Sequence, residues 1–537
     1  MQRVFIHGRV FTGSLPLQEA FLTEDNYFKA AGTDDEILAL ADPAAECVDL
    51  AGKFVTPGFN DSHMHLLGFG QSLKLLQLAE HTASLHDLLE TVRTHIQNNP
   101  PRKGQWIRGR GWNQDYFTDI HRMPQRTDLD GISSEIPIVL TRACGHVCTA
   151  NSAALQAAGI TADTVSPAGG EIGMQDGEPN GILYDNAITL LDRVIPAPDL
   201  QEIKEMILLA CHALNTYGIT SCQTDDYSMS RAVSPYLINQ AYEELAAEGK
   251  LTVRINEQCN LTDPEDLKVF CGKGNITGKG NAFFRIGPLK LLGDGSLGGR
   301  SAYLSIPYAD DSSTRGFPLF SETELRTLIS YANRVGMQIA VHAIGDACLD
   351  MILDAFELAM QECPRDDHRH GIVHCQITRP DQLERIQKLH LHIYAQSIFL
   401  DYDNHIVEQR CGKELAASSY SWKTLLDNGV TVSNGSDCPV ERPDVMEGIE
   451  LAVTRTSLDG TGPYLPEQAF TVEEALQSFT VSAAKASFEE NCKGQIKAGY
   501  LADFTVLAEN PFETDVHKLH GIQPLSVWLN GKCIYTK

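Results

Sequence analysis

Histidine, lysine and aspartate side chains close several apolar, β-rich runs along the chain: His63 and His65, Lys290, His342, His374 and Asp437. Imidazoles and a carboxylate are borderline-to-hard donors that suit zinc, with manganese, iron or nickel as alternatives. Residues i and i+2 of a strand point the same way, so His63 and His65 can share one ion. The His-x-His pattern alone is weak, because 18 histidines give about 0.6 such pairs by chance. Three occur. His368/His370 and His390/His392 stand before or at the start of their runs, which predicts packing or surface roles on the opposite face. Beside cations an ammonium at Lys290 would be repelled and its amine driven toward the neutral form. A neutral amine reacts with carbon dioxide to give a carbamate, an oxygen ligand able to bridge two metals.

These residues meet only if a fold gathers the ends of the runs. Eight runs are strand-like, at 58–65, 219–224, 253–258, 284–290, 338–342, 371–374, 392–396 and 431–437. Amphipathic helix candidates lie between most of them, for example 200–217, 321–335 and 349–363. Strand–helix alternation eight times over predicts an α/β fold, a (β/α)8 TIM barrel, in which the C-terminal strand ends share one face. The barrel is expected over 56–485. The stretch between the first two runs is too long for one helix and has its own strand-like runs at 105–108 and 138–141, so an inserted subdomain is expected at about 66–215, over the barrel mouth. Residues 1–55 and 486–537 read as short strands, with turns at His7-Gly8 and Asn530-Gly531. Neither end buries a core alone, so both chain termini are expected to form one small β-sandwich domain. Gly293 to Gly298 fits G-x-G-x-x-G, but no helical stripe follows it, so a tight loop beside the metal is expected instead of a nucleotide site.

Length and charge narrow the classes further. The 537 residues carry a formal net charge of −27, which disfavours phosphate backbones and anionic lipid as partners. No apolar run reaches the roughly 18–20 residues that span a bilayer. The opening MQRVFIHGRVFTG alternates, so no signal peptide is expected. The 14 cysteines lack paired spacing, which points to reduced thiols and a cytoplasmic location. The substrate is expected to be a small molecule; oligomeric state stays open, a homo-oligomer included.

Thr56-Pro57-Gly58-Phe59-Asn60-Asp61-Ser62-His63-Met64-His65 resembles the PGF-x-D-x-H-x-H opening of the amidohydrolase superfamily. Lys290 with Asp294-Gly295-Ser296-Leu297-Gly298, then Val341-His342-Ala343-Ile344-Gly345-Asp346, resemble segments of its amidohydrolase family 3, the YtcJ-like group related to N-substituted formamide deformylase. His374-Cys375-Gln376, Gly435-Ser436-Asp437 and Gly499-Tyr500-Leu501-Ala502-Asp503-Phe504 are similar to its later motifs. The resemblance implies hydrolysis of a non-peptide carbon–nitrogen bond, amide or formamide-like, by a metal-activated hydroxide. It implies one or two divalent ions, zinc foremost. His63, His65 and Asp437 would bind one, His342 and His374 the other, and Lys290, N6-carboxylated, would bridge. Asp437 would also move the proton. His146, Trp112 and Asp294 are the candidate substrate contacts; for Trp112 the alternative is subdomain core, and for Asp294 pairing within its loop. Ester or lactone hydrolysis on the same site, or a non-catalytic regulatory protein, are the competing readings.

Overall fold

The computed structural model describes residues 2–102, 104–167, 169–228 and 233–537. Eight parallel strands form one sheet: β1 (Phe59–Met64), β2 (Ile219–Thr224), β3 (Arg254–Asn260), β4 (Phe284–Leu292), β5 (Ile339–Ala343), β6 (Gly371–His374), β7 (His392–Ala395) and β8 (Val432–Asn434). Each pairs with its sequence neighbour, in the order of a singly wound barrel. The strands are almost wholly buried, as parallel strands covered by helices must be. All eight expected runs are strands. The helices Leu200–Thr216, Glu322–Arg334 and Asp346–Glu362 occupy the expected amphipathic stretches. The chain is therefore a (β/α)8 barrel protein.

The seam between first and last strands is closed by side chains as well as backbone. Asp437 N donates to His63 O at 2.8 Å. The buried Asp61 carboxylate accepts from Ser436 Oγ at 2.5 Å and from the backbone N–H groups of Ser436 and His63. Gly435 is needed for this approach, since a Cβ there would lie 2.6 Å from His63 N.

Strands from both chain ends build two further sheets. One contains Tyr27–Gly32, Ala20–Glu24, Gln2–Ile6 and Glu46–Asp49. The other joins Arg9–Val10 and Phe54–Pro57 to Phe504–Leu507, Pro524–Leu529 and Lys532–Thr536. Phe54–Pro57 runs antiparallel to Phe504–Leu507, so the second sheet exists only when the two ends meet. The hairpin turn at Asn530-Gly531 uses two positive φ angles, 52° and 67°, which match the twist of the flanking strands. Both sheets share a core in which Phe5 stacks on Phe21, and Phe504 stacks on Trp528. Arg254, at the start of β3, reaches into this region and pairs with Asp503 and Asn530.

Residues Gly70–Glu202 form a separate compact unit. Its six strands lie in the spatial order Leu76–Gln77, Ile107–Trp112, Ile138–Arg142, Val147–Ala150, Glu178–Asp185, Gly170–Gln175. Leu85, Leu88 and Val92 of the helix Leu85–Asn98 share its core with Trp112. Among the described residues no helix is long and apolar enough to cross a membrane.

Phe504 is fully buried and touches aromatic rings of both sheets. Phe504→Ala is expected to cost about 3–5 kcal/mol of unfolding free energy, read by denaturant titration. A loss below ~1 kcal/mol would show that this shared core does not join the chain ends.

Candidate active site

The side chains singled out at strand ends come from five elements and meet at the C-terminal end of the barrel. His63 is in β1 with His65 just beyond it, Lys290 and His342 lie near the ends of β4 and β5, His374 ends β6, and Asp437 follows β8. Potential ligand atoms of His63, His374 and Asp437 all lie within 4.8 Å of one another. His65 Nε2 is 3.1 Å and His63 Nε2 3.2 Å from Asp437 Oδ1. The His342 and His374 rings are 4.5 Å apart. Lys290 is buried, with Nζ 3.8 Å from Asp225 Oδ2.

Each imidazole is held through one ring nitrogen, which leaves the other as its potential ligand atom. Gln258 Oε1 takes His63 Nδ1 at 2.6 Å, the Asp225 carbonyl takes His65 Nδ1 at 2.8 Å, and Gln396 Oε1 takes His374 Nδ1 at 2.7 Å. At His63 and His374 these acceptors put the proton on Nδ1 and the lone pair on Nε2. His342 is turned the other way, with Nε2 3.1 Å from Gly295 O, so Nδ1 is its remaining donor atom.

The electrostatics suit a cation. Burial, then the nearby Lys290 ammonium, pulls His63 down to about 4. Burial and the neighbouring His342 push His374 well below the usual histidine range. Both are neutral donors at pH 7. Burial opposes ionisation of Asp437, but contact with His63 and His65 outweighs it and holds the carboxyl well below its ordinary value. Burial opposes protonation of His65 too, yet Asp437 lifts it to about 9 in the metal-free protein. Asp437 Oδ1 is buried and accepts no hydrogen bond, although two imidazole nitrogens lie just over 3 Å away. A buried anionic oxygen without a hydrogen bond is costly. Its convergence with the neutral imidazoles of His63 and His374 is the donor set of a divalent metal, so these residues fit such an ion.

Two of these residues have strained backbones. His374 has φ 74° and Asp437 φ 58°, in the left-handed region that costs non-glycine residues about 1 kcal/mol or more. Trp422 Nε1 donates to His374 O at 3.0 Å, and Cys375 N donates to Ala343 O, which fix the turn after β6. Strain of this kind concentrates at functional sites.

Residues 46–535 match the amidohydrolase family. The chain belongs to that family. It is 34% identical over 524 residues to the putative amidohydrolase YtcJ of Bacillus subtilis, covering 97% of this chain and 96% of that protein. It is 28% identical over 531 residues to the N-substituted formamide deformylase of Arthrobacter pascens, covering 97% and 95%. Among solved structures, a metal-dependent hydrolase from Pyrococcus furiosus superposes with a TM-score of 0.79 at 29% identity, covering 96% of this chain and all of that one. This amidohydrolase is a metal-dependent hydrolase with a His/Asp candidate metal site.

The residues expected to touch substrate are placed differently. Trp112 is fully enclosed in the core of the Gly70–Glu202 unit, and its Nε1 donates to Leu140 O at 2.9 Å. It takes the subdomain-core alternative. Asp294 is also buried, and its carboxylate accepts from the backbone N–H groups of Tyr303, Ile344 and Gly345. With Oδ1 3.3 Å from His342 Nε2, it anchors the β4 loop and the ring rather than a substrate. His146 lies in the Gly70–Glu202 unit, its side chain 77% exposed and 3.0 Å from Asp185. His370 and His392 are satisfied by Asn333 and Ser433 at the far strand ends. The segment 293–320 is a loop, as its composition suggested.

Gln258, Gln396 and Asp225 were not identified from sequence. The two glutamines do close the runs 253–258 and 392–396, the same polar strand-end signal that marked the histidines. Gln258→Leu or Gln396→Leu leaves the imidazole tautomer unfixed. Each is expected to lower metal affinity about 10–100-fold in equilibrium dialysis, with the fold retained. Unchanged affinity would remove the orienting role.

Proposed function

We propose that this amidohydrolase cleaves a non-peptide carbon–nitrogen bond, an amide or formamide-like group of a small molecule. The observation that carries this is the Asp437 carboxylate, ionised and without a hydrogen bond, set between His63 and His65. The named activity of the Arthrobacter relative supports the bond class. A divalent cation at this site, zinc by its nitrogen and oxygen donors, would supply Lewis acidity, lowering the pKa of a water and polarising the substrate carbonyl. His63 and His65 would hold it through Nε2, and Asp437 through Oδ1. Asp437, the anionic group at the site, accepts the proton of the attacking water. It then delivers that proton to the departing nitrogen, which would otherwise leave as a poor amide anion.

In the same reading His342, through Nδ1, and His374, through Nε2, would hold a second ion, and Lys290, as its Nζ-carboxylate, would serve both. Burial already pulls the Lys290 amine down toward the neutral form that carbon dioxide needs. Two metal equivalents and a carbamate carbon-13 signal from protein equilibrated with labelled carbon dioxide would support this. One equivalent and no signal would restrict the centre to a single ion.

Asp437→Asn is expected to lower kcat about 100- to 10,000-fold on amide and formamide substrates, at metal content restored to that of the wild type. Full activity at that metal content would end the proton-transfer role. A substrate panel that includes esters and lactones tests the bond class. Turnover of esters or lactones alone would replace the carbon–nitrogen reading.

A further inference from the structure

The helical segment after β7, formed by Ser397–Phe399 and Leu400–Asp403, is built with one face inward. Ser397, Ile398, Leu400 and Asp403 are buried, whereas Phe399 is half-buried and Tyr402 is 57% exposed. Spaced i, i+3, these two aromatic residues share the outward face. The Phe399 ring stacks on His374, with centroids 5.7 Å apart and planes within 16°. An aromatic stripe therefore starts on a candidate metal ligand and runs outward to an exposed ring.

The loop after β4 is set against this stripe. Gly298 lies there, and a Cβ on it would come within 3.8 Å of Tyr402 Cε1 and 3.7 Å of Ile406 Cδ1. The two loops are fastened to each other. Asp310 pairs with Arg300 of its own loop and with Arg410 of the helix Val407–Ala416, and Ala309 N donates to Arg410 O at 2.8 Å. Tyr402 is thus an exposed aromatic side chain on a fixed support, close in chain and space to the ring that covers His374. A flat group gains offset or edge-on ring contacts on such a surface that a flexible alkyl chain of equal size does not.

We propose that Phe399 and Tyr402 form the wall of the substrate site that takes a flat apolar substituent, an aryl or similarly planar group, carried beside the scissile bond. This rests on the proposed hydrolysis only in placing a substrate at the metal ligands. Tyr402 sets specificity. Phe399, stacked on His374, also positions that imidazole, which makes Tyr402 the cleaner residue to vary.

The test pairs N-aryl with N-alkyl amides and formamides of equal heavy-atom count, using metal-loaded wild type, Tyr402→Ala and Tyr402→Phe. Tyr402→Ala is expected to lower the aryl-to-alkyl ratio of kcat/KM about fivefold, mainly through KM, and Tyr402→Phe to preserve it. The same ratio is measured by calorimetric binding in an Asp437→Asn background, where turnover is not required. If no pair is hydrolysed but aryl binding falls selectively in Tyr402→Ala, the hydrolytic reading fails and the wall stands. An aryl-to-alkyl ratio unchanged by Tyr402→Ala, or no preference for the aryl compound in either protein, overturns the wall whatever the bond cleaved.

Discussion

The seam where β1 meets β8 governs the rest of the site. Two backbone hydrogen bonds, Asp437 N to His63 O and His65 N to Cys438 O, bridge the seam and place the carboxylate of Asp437 against the imidazoles of His63 and His65. The Asp61–Ser436 contacts and the lack of a side chain at Gly435 allow the strands to come this close. Closing the barrel at this seam is therefore what brings Asp437 to His63 and His65.

The neutrality of the buried histidines is the second constraint. Burial alone would disfavour charged imidazolium, and it does so at His63 and His374. The polar ring edges still need partners, which Gln258 and Gln396 supply without adding charge. A carboxylate in the same place would make the imidazole more basic and favour its protonated form. The carboxamides keep the histidines as neutral donors, while Asp437 provides the negative charge. The strained backbone at His374 is held by Trp422, whose Nε1 donates to the His374 carbonyl, so the direction of that ring is set by the scaffold.

Much of this was legible in the sequence because barrel strands are local. Each of the eight runs is a short, local apolar or β-rich stretch, and a polar residue at its end is visible without knowing its neighbours. His63, His342, His374 and Asp437 were readable for that reason. Pairing information is not local. Gln258 is 195 residues from the histidine it orients, and no periodicity links them. Asp294 has the composition of a binding residue, but the β4 loop folds back so that its carboxylate caps backbone N–H groups around β5. Trp112, in a glycine-rich run, read equally well as pocket wall or as core; its strand packs against Leu85, Leu88 and Val92, which decides for core. The chain ends were legible as strands and turns, since Asn530-Gly531 encodes its hairpin directly, whereas the order of strands in the shared sheet depends on aromatic packing between distant segments.

Anomalous diffraction from crystals of the purified protein, collected at a transition-metal absorption edge, tests the central claim most directly. The account expects a peak at about 2.0–2.2 Å from His63 Nε2, His65 Nε2 and an Asp437 carboxylate oxygen. Crystals grown with metal in excess that show no peak at this seam, or an ion bound only elsewhere, would contradict it.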